Sequence, residues 1–323
     1  MQTALKQNVQ FTDYHPAPAD FFAEVMVGLA QQPRAIPPKF FYDAPGSQLF
    51  DRICELDEYY PTRTEMQILR THAEEIASLI GEKSFIIEPG SGSSTKVRLL
   101  LDDLKPHTYM PMDISKQHLL QAAQTLAAEY PWLDIHAACA DFTTELVIPD
   151  SAVDTNRVAF FPGSSIGNFE PRAARHFLRH LGQTLGNGGG LLIGVDLKKP
   201  AGVLHAAYND RQGITAAFNR NLMTRINHEL AADFKLDLFD HYAFYNPQQG
   251  RVEMHLVSTQ AQMVSIGEAA FHFERGESIH TECSYKYSIA EFQALAESAG
   301  FKAIKVWTDI EQLFSVHYFE YQR

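Results

Sequence analysis

A Gly90-Ser91-Gly92 turn sits between an apolar run and an amphipathic one in "FIIEPGSGSSTKVRLLLDDL", which begins at Phe85. Residues this small let the backbone pass close to a ligand, and a helix starting beyond them offers free N–H groups to an anion. Lys96 just inside that helix adds a positive charge. Three ligand classes use such a loop. A Walker phosphate loop needs GxxxxGK[ST], and Thr95 stands where its second glycine should be, so that reading fails. A dinucleotide loop wants a third glycine; Thr95 takes that place too, which weakens this reading and leaves it open. S-adenosylmethionine (SAM) needs no pyrophosphate cradle, and its amino-acid carboxylate suits both the helix start and Lys96.

Two further sites bear on the choice. Asp113 closes "YMPMD" about 20 residues beyond the loop, where an acid can accept both ribose hydroxyls. Asp141-Phe142 follows the next apolar run, where a carboxylate can take the adenine amino group and a ring can pack on the base. Plainer readings exist: Asp113 as a helix N-cap, Phe142 as ordinary core. Features at three successive strand ends favour SAM, with S-adenosylhomocysteine as product.

The elements that must position these residues follow from the pattern. Strands are expected at 85–88, 108–113, 135–138, 157–161 and 190–196, with helices at 95–104, 115–130 and 172–185. Such alternation predicts an α/β fold with a mostly parallel, doubly wound sheet. It breaks at "AGVLHAAYNDRQGITAAFNRNLMTRINHEL", a long helical interlude too polar for a simple core helix, and two strand-rich stretches follow. A helix and a strand hairpin then close the chain. Residues 1–35 read as an extended arm with some helix, punctuated by Pro16, Pro18 and Pro33. The expected division is a donor-binding core of 62–198 and 287–323, with a smaller α+β substrate lobe of 1–61 and 199–286.

Bulk properties exclude other classes. A formal charge of −12 and a pI near 5.6 leave little to neutralise phosphates, so no nucleic acid is expected as partner. No apolar run is long enough to cross a bilayer, and no signal peptide is visible. Cys54, Cys139 and Cys283 lack CxxC spacing, which fits a reduced, cytoplasmic enzyme, expected as a monomer. Among 14 histidines none forms HExxH. The near pairs His176/His180 and His272/His280 lack a convincing third ligand with matching geometry, so no metal is expected.

Longer motifs carry a resemblance. "FYDAPGSQLFDRI", "ELDEYYPTR", "EPGSGSSTK", "FFPGSSIGNF" and "AAYNDRQGITAAFNRN" are similar to the L-histidine Nα-methyltransferases that open ergothioneine biosynthesis, over nearly the whole chain from about Pro37. That family resembles fungal N-methyltransferases of tryptophan derivatives and the methylating domain of ovothiol synthases, so the substrate needs separate argument. The resemblance implies a Rossmann-like class I methyltransferase core and a small-molecule substrate, L-histidine, whose α-amine receives three methyl groups to give hercynine. It implies donor contacts from Tyr42, Gly90, Ser91, Gly92, Lys96, Asp113, Asp141 and Phe142. It also implies that Asn168 and Tyr208 bind the substrate carboxylate, that Tyr59 touches the imidazole, and that Phe50 and Gly163 help wall the pocket. Tyr42 and Asn168 would stand closest to the chemistry. One departure is Pro89, where the family more often has an aliphatic residue before the first glycine.

The imidazole reader can be argued from strand geometry. In "HTECSYKY" a period of two puts Glu282 and Ser284 on one side and Cys283 on the other. A carboxylate beside a hydroxyl receives one ring N–H and satisfies the second nitrogen, as imidazole requires and indole does not. Met254 matches the family position that shapes the same pocket. The plain alternative is an exposed strand carboxylate at Glu282.

Overall fold

The computed structural model describes residues 8–14, 19–142, 148 and 155–322; the breaks expected at Pro16 and Pro18 lie outside the described residues. The chain divides into two compact units. The first comprises Met1–His15, Pro61–Lys198 and Lys286–Arg323, and the second Pro16–Tyr60 and Lys199–Tyr285.

The first unit's strands, numbered along the whole chain, are β1 (Val9–Asp13), β3 (Phe85–Pro89), β4 (Thr108–Asp113), β5 (Asp134–Cys139), β6 (Arg157–Phe161), β7 (Gly190–Asp196), β13 (Phe301–Thr308) and β14 (Phe314–Tyr321). They form one sheet in the order β1-β5-β4-β3-β6-β7-β14-β13. Neighbours run parallel from β1 to β7, and β14 is antiparallel to both β7 and β13. The chain winds outward from β3 to β5, then crosses back to place β6 beside β3. That reversal is the switch point where such sheets bind ligands, beyond the carboxyl ends of the strands. Every residue of β3 and β7 is buried, as expected of parallel strands covered on both faces.

Two expectations need correction here. Residues 8–14 belong to the first unit, not to the substrate lobe: β1 pairs with β5, Val9 opposite Ile135, and so covers a sheet edge whose N–H and C=O groups would otherwise lie open. The helix expected from Thr95 begins at Arg98. Ser94 adopts a positive φ of 53°, and the Arg98 guanidinium donates to the Ser93 and Ser94 carbonyls at 3.0 and 2.6 Å. Those carbonyls are thereby held in a loop that runs through Lys96.

In the second unit β2 (Arg34–Ala35), β12 (Ser278–Tyr285), β9 (Arg251–Ser258) and β8 (Phe239–Asn246) form a sheet in that order. A separate hairpin pairs β10 (Gln262–Ile266) with β11 (Ala269–Phe273). The polar interlude is two helices, Ala201–Tyr208 and Ile214–Leu230. Asp210 ends the continuity by accepting from the Ile214 and Thr215 amides at 2.9 and 2.8 Å, which caps the second helix. Asn219 explains that helix's polarity. Fully buried, it donates to the His255 carbonyl at 3.0 Å and accepts from Thr281 Oγ1 at 2.7 Å. Thr281 marks a bulge, since the β12–β9 register shifts between His280 and Glu282.

Candidate active site

The residues expected to bind the donor, Tyr42 apart, follow the carboxyl ends of β3, β4 and β5. Gly90 has φ 68°, and a Cβ there would lie 3.2 Å from the Phe142 ring, so the loop needs glycine for both conformation and space. Phe142 is held in turn by Phe161 and Phe177, with centroids 5.8 and 6.1 Å away. The Gly92 amide donates to Asp113 Oδ2 at 2.9 Å, and the Ser115 amide to Oδ1 at the same distance. Each carboxylate oxygen has two acceptor sites, so this anchoring orients Asp113 without exhausting it. Burial pushes its pKa up against the pull of those amides. Asp141 follows β5 and is buried. The Ser91 hydroxyl is buried with no hydrogen-bond partner among the described residues. An orphaned polar atom inside a glycine cradle, with an oriented acid and a ring beside it, fits a polar nucleoside ligand, and SAM meets that description.

Beneath the loop, Glu88 of β3 is buried beside the Tyr109 hydroxyl, which also lies 3.0 Å from Ser94 Oγ. Burial raises the Glu88 pKa to about 8, so at neutral pH the acid is largely protonated.

Lys96 has a partner that the sequence reading missed. Its Nζ lies 2.5 Å from Glu65 Oε2, and Glu65 is 1% exposed. Both Glu65 oxygens lie 2.9 Å from the Gly163 amide, so this acid ties the donor loop to the turn after β6. Gly194 makes room for it, since a Cβ there would fall 1.9 Å from Glu65 Oε1. Nothing in the helical pattern around "TRTEMQILR" distinguishes Glu65; only the fold brings it to Gly163. Gly163 itself has φ 81°, and Ser164 beyond it accepts from the Asp196 amide at 2.9 Å. Asn168 ends the short helical turn Ser165–Asn168 and is half-buried. Gly163 and Asn168 therefore stand on the first unit with the donor residues.

The other expected substrate residues, together with Tyr42, lie in the second unit. Rings form a chain: Tyr42 to Phe50 at 5.8 Å, Phe50 to Tyr59 at 6.5 Å, Tyr59 to Tyr208 at 6.4 Å. Phe218 of the long helix packs 5.8 Å from Tyr42 and 6.0 Å from Phe50. On the sheet, Glu282 is the direct register partner of Met254, and Ser284 of Val252. Facing residues of an antiparallel pair project to one side, so Met254, Glu282 and Ser284 share a face. All three are buried, Glu282 at 9% exposure, which rules out the reading of an exposed strand carboxylate.

Strand order, glycine loop and the acids at successive strand ends define a class I, Rossmann-like methyltransferase. A family profile described as "Histidine-specific methyltransferase, SAM-dependent" matches residues 21–321. The chain belongs to that family and is a SAM-dependent N-methyltransferase. It is 43% identical over 293 residues to a histidine N-alpha-methyltransferase of Mycolicibacterium smegmatis, covering 88% of this chain and 90% of the relative. A histidine N-alpha-methyltransferase of Mycobacterium tuberculosis is 40% identical with the same coverage. Ergothioneine biosynthesis protein 1 of Neurospora crassa is 35% identical over 85% of this chain, which spans 32% of that longer protein.

Proposed function

We propose that this chain methylates the α-amine of L-histidine three times, giving the betaine hercynine for ergothioneine synthesis. The observation that carries the substrate choice is the buried Glu282–Ser284 pair facing Met254. An imidazole offers one N–H and one lone pair, which a carboxylate and a hydroxyl on one strand face can satisfy together. An indole has only the N–H and more bulk, and it would leave the hydroxyl without its match.

SAM supplies a methyl group on a sulfonium sulfur, and only a neutral amine attacks it. An α-amino group titrates at about 8 or above, so at pH 7 a proton must first leave, a modest cost that water or a nearby acceptor can meet. The work left to the protein is orientation. Asp113, fixed by the Gly92 and Ser115 amides, is assigned the ribose hydroxyls; Asp141 and Phe142 are assigned the adenine. Lys96 and Ser91 serve the donor's amino-acid end, with Glu65 fixing where the ammonium points. Tyr208 and Asn168 keep the substrate carboxylate, Tyr59 the ring, and Tyr42, Phe50 and Gly163 the walls. Once three methyl groups are in place no lone pair remains, and the reaction stops.

Incubation with SAM and each of a panel of amino acids, read by mass spectrometry, tests this. Histidine is expected to gain three methyl groups with three equivalents of S-adenosylhomocysteine. No methylation of histidine, or faster methylation of tryptophan, overturns the substrate assignment.

A further inference from the structure

The face of the second unit's sheet opposite Glu282 carries a polar cluster that methyl transfer does not use. Glu253 and His255 stand two apart on β9 and so point the same way, and His280 of β12 is the register partner of His255. One potential ligand atom from each of the three lies within 4.8 Å of the other two. We propose that Glu253, His255 and His280 form a divalent-cation site suited to zinc.

Donor spacing supports the ion. Glu253 Oε2 lies 3.3 Å from His255 Nε2. Two ligands at about 2.0–2.1 Å from a tetrahedral zinc stand roughly 3.3–3.4 Å apart. His280 Nε2 is buried and has no hydrogen-bond partner among the described residues, the state of a nitrogen waiting for a ligand. Its ring lies 5.0 Å from that of His255. The outer contacts suit the role as well. His255 Nδ1 lies 3.1 Å from Ser278 Oγ, which orients the ring and leaves Nε2 for the metal. Two imidazoles and a carboxylate make three ligands, with water as the fourth.

Arg251 opposes the ion: its Nε donates to Glu253 Oε1 at 2.9 Å. That bond leaves Oε2 directed at His255, and the nearby positive charge sets the affinity below that of a site without it. Inspection of neighbours along the chain overlooks this cluster because its ligands come from two strands joined only by register.

Chelator-stripped full-length protein titrated with zinc against a chromophoric zinc indicator reads affinity and stoichiometry, and cobalt in place of zinc reads geometry by its visible absorption. One equivalent of zinc and an intense tetrahedral cobalt spectrum are expected. His280→Ala and Glu253→Gln should each weaken zinc binding about 10-fold or more, since loss of even an outer partner of a ligand costs about 10- to 100-fold. His176→Ala/His180→Ala should leave it unchanged. Absence of stoichiometric zinc, a weak octahedral cobalt spectrum, binding indifferent to His280→Ala, or binding lost with His176 and His180 would each overturn the site. The cobalt spectrum needs no variant, so it decides the matter even where a variant fails to fold.

Discussion

Glu282 owes its proposed part in substrate choice to its surroundings. An exposed carboxylate on a strand is common and uninformative; this one is 9% exposed, with Ser284 on its face and Met254 opposite, which suits the proposed recognition of the substrate ring. Charged hydrogen bonds contribute about 1.5–3 kcal/mol, so Glu282→Ala should raise the Michaelis constant for histidine about 10- to 100-fold. The Michaelis constant for SAM should hardly move. Steady-state kinetics with each substrate varied in turn checks this, and an unaltered histidine constant would remove Glu282 from the binding pocket. The alternation of "HTECSYKY" already placed Glu282 with Ser284. It could not show that Met254 faces them or that the whole group is buried.

Strands and helices decide where such residues can stand. The first unit's inner strands were legible because a parallel sheet covered on both faces needs unbroken apolar runs, and β4, β6 and β7 lie at their expected bounds. The helix after the glycine loop was less legible. Its first turn depends on Arg98 reaching back to the Ser93 and Ser94 carbonyls, a preference that hydrophobic periodicity does not record. Gly194 in β7 ties an element to the donor loop. Its missing Cβ admits Glu65, which holds Lys96 and the Gly163 amide together. Gly194→Ala should displace Glu65, destabilise the fold by about 2 kcal/mol, as overpacking does, and weaken SAM binding. Urea denaturation and calorimetric titration with SAM measure the two effects. A variant that binds SAM normally would leave Glu65 a purely structural role.

At the scale of the molecule, two buried groups in the first unit give stability opposite pH dependences. His317 of β14 is fully buried, and burial lowers its pKa from 6.5 to about 4. The unfolded chain binds that proton first, so this contribution is complete above about 6.5 and is lost as pH falls toward 4. Glu88 runs the other way, its pKa raised from 4.5 to about 8 by burial. The folded state holds that proton longer, so stability is lost as pH rises from 4.5 to 8. Between 4.5 and 6.5 the two slopes oppose each other, and from 6.5 to 8 the Glu88 slope acts without that counterweight. Glu88→Gln should therefore gain melting temperature relative to the parent as pH rises through this window, by an amount on the order of a few kcal/mol in stability, and level off above it. Parallel melting curves for the two proteins would show that Glu88 is not held neutral.

Local pattern alone determined the alternation of strands and helices, the glycine loop with acids at the next two strand ends, and the shared face of Glu282 and Ser284. These depend on neighbours a few residues apart, which the chain's own period records. Tertiary structure alone decided that Met254 stands opposite Glu282, that His255 stands opposite His280, and that Glu65 reaches Gly163. Each depends on hydrogen-bond register or packing between distant segments. A one-residue slip in register would leave the local pattern intact and bring every one of the cross-strand pairs apart.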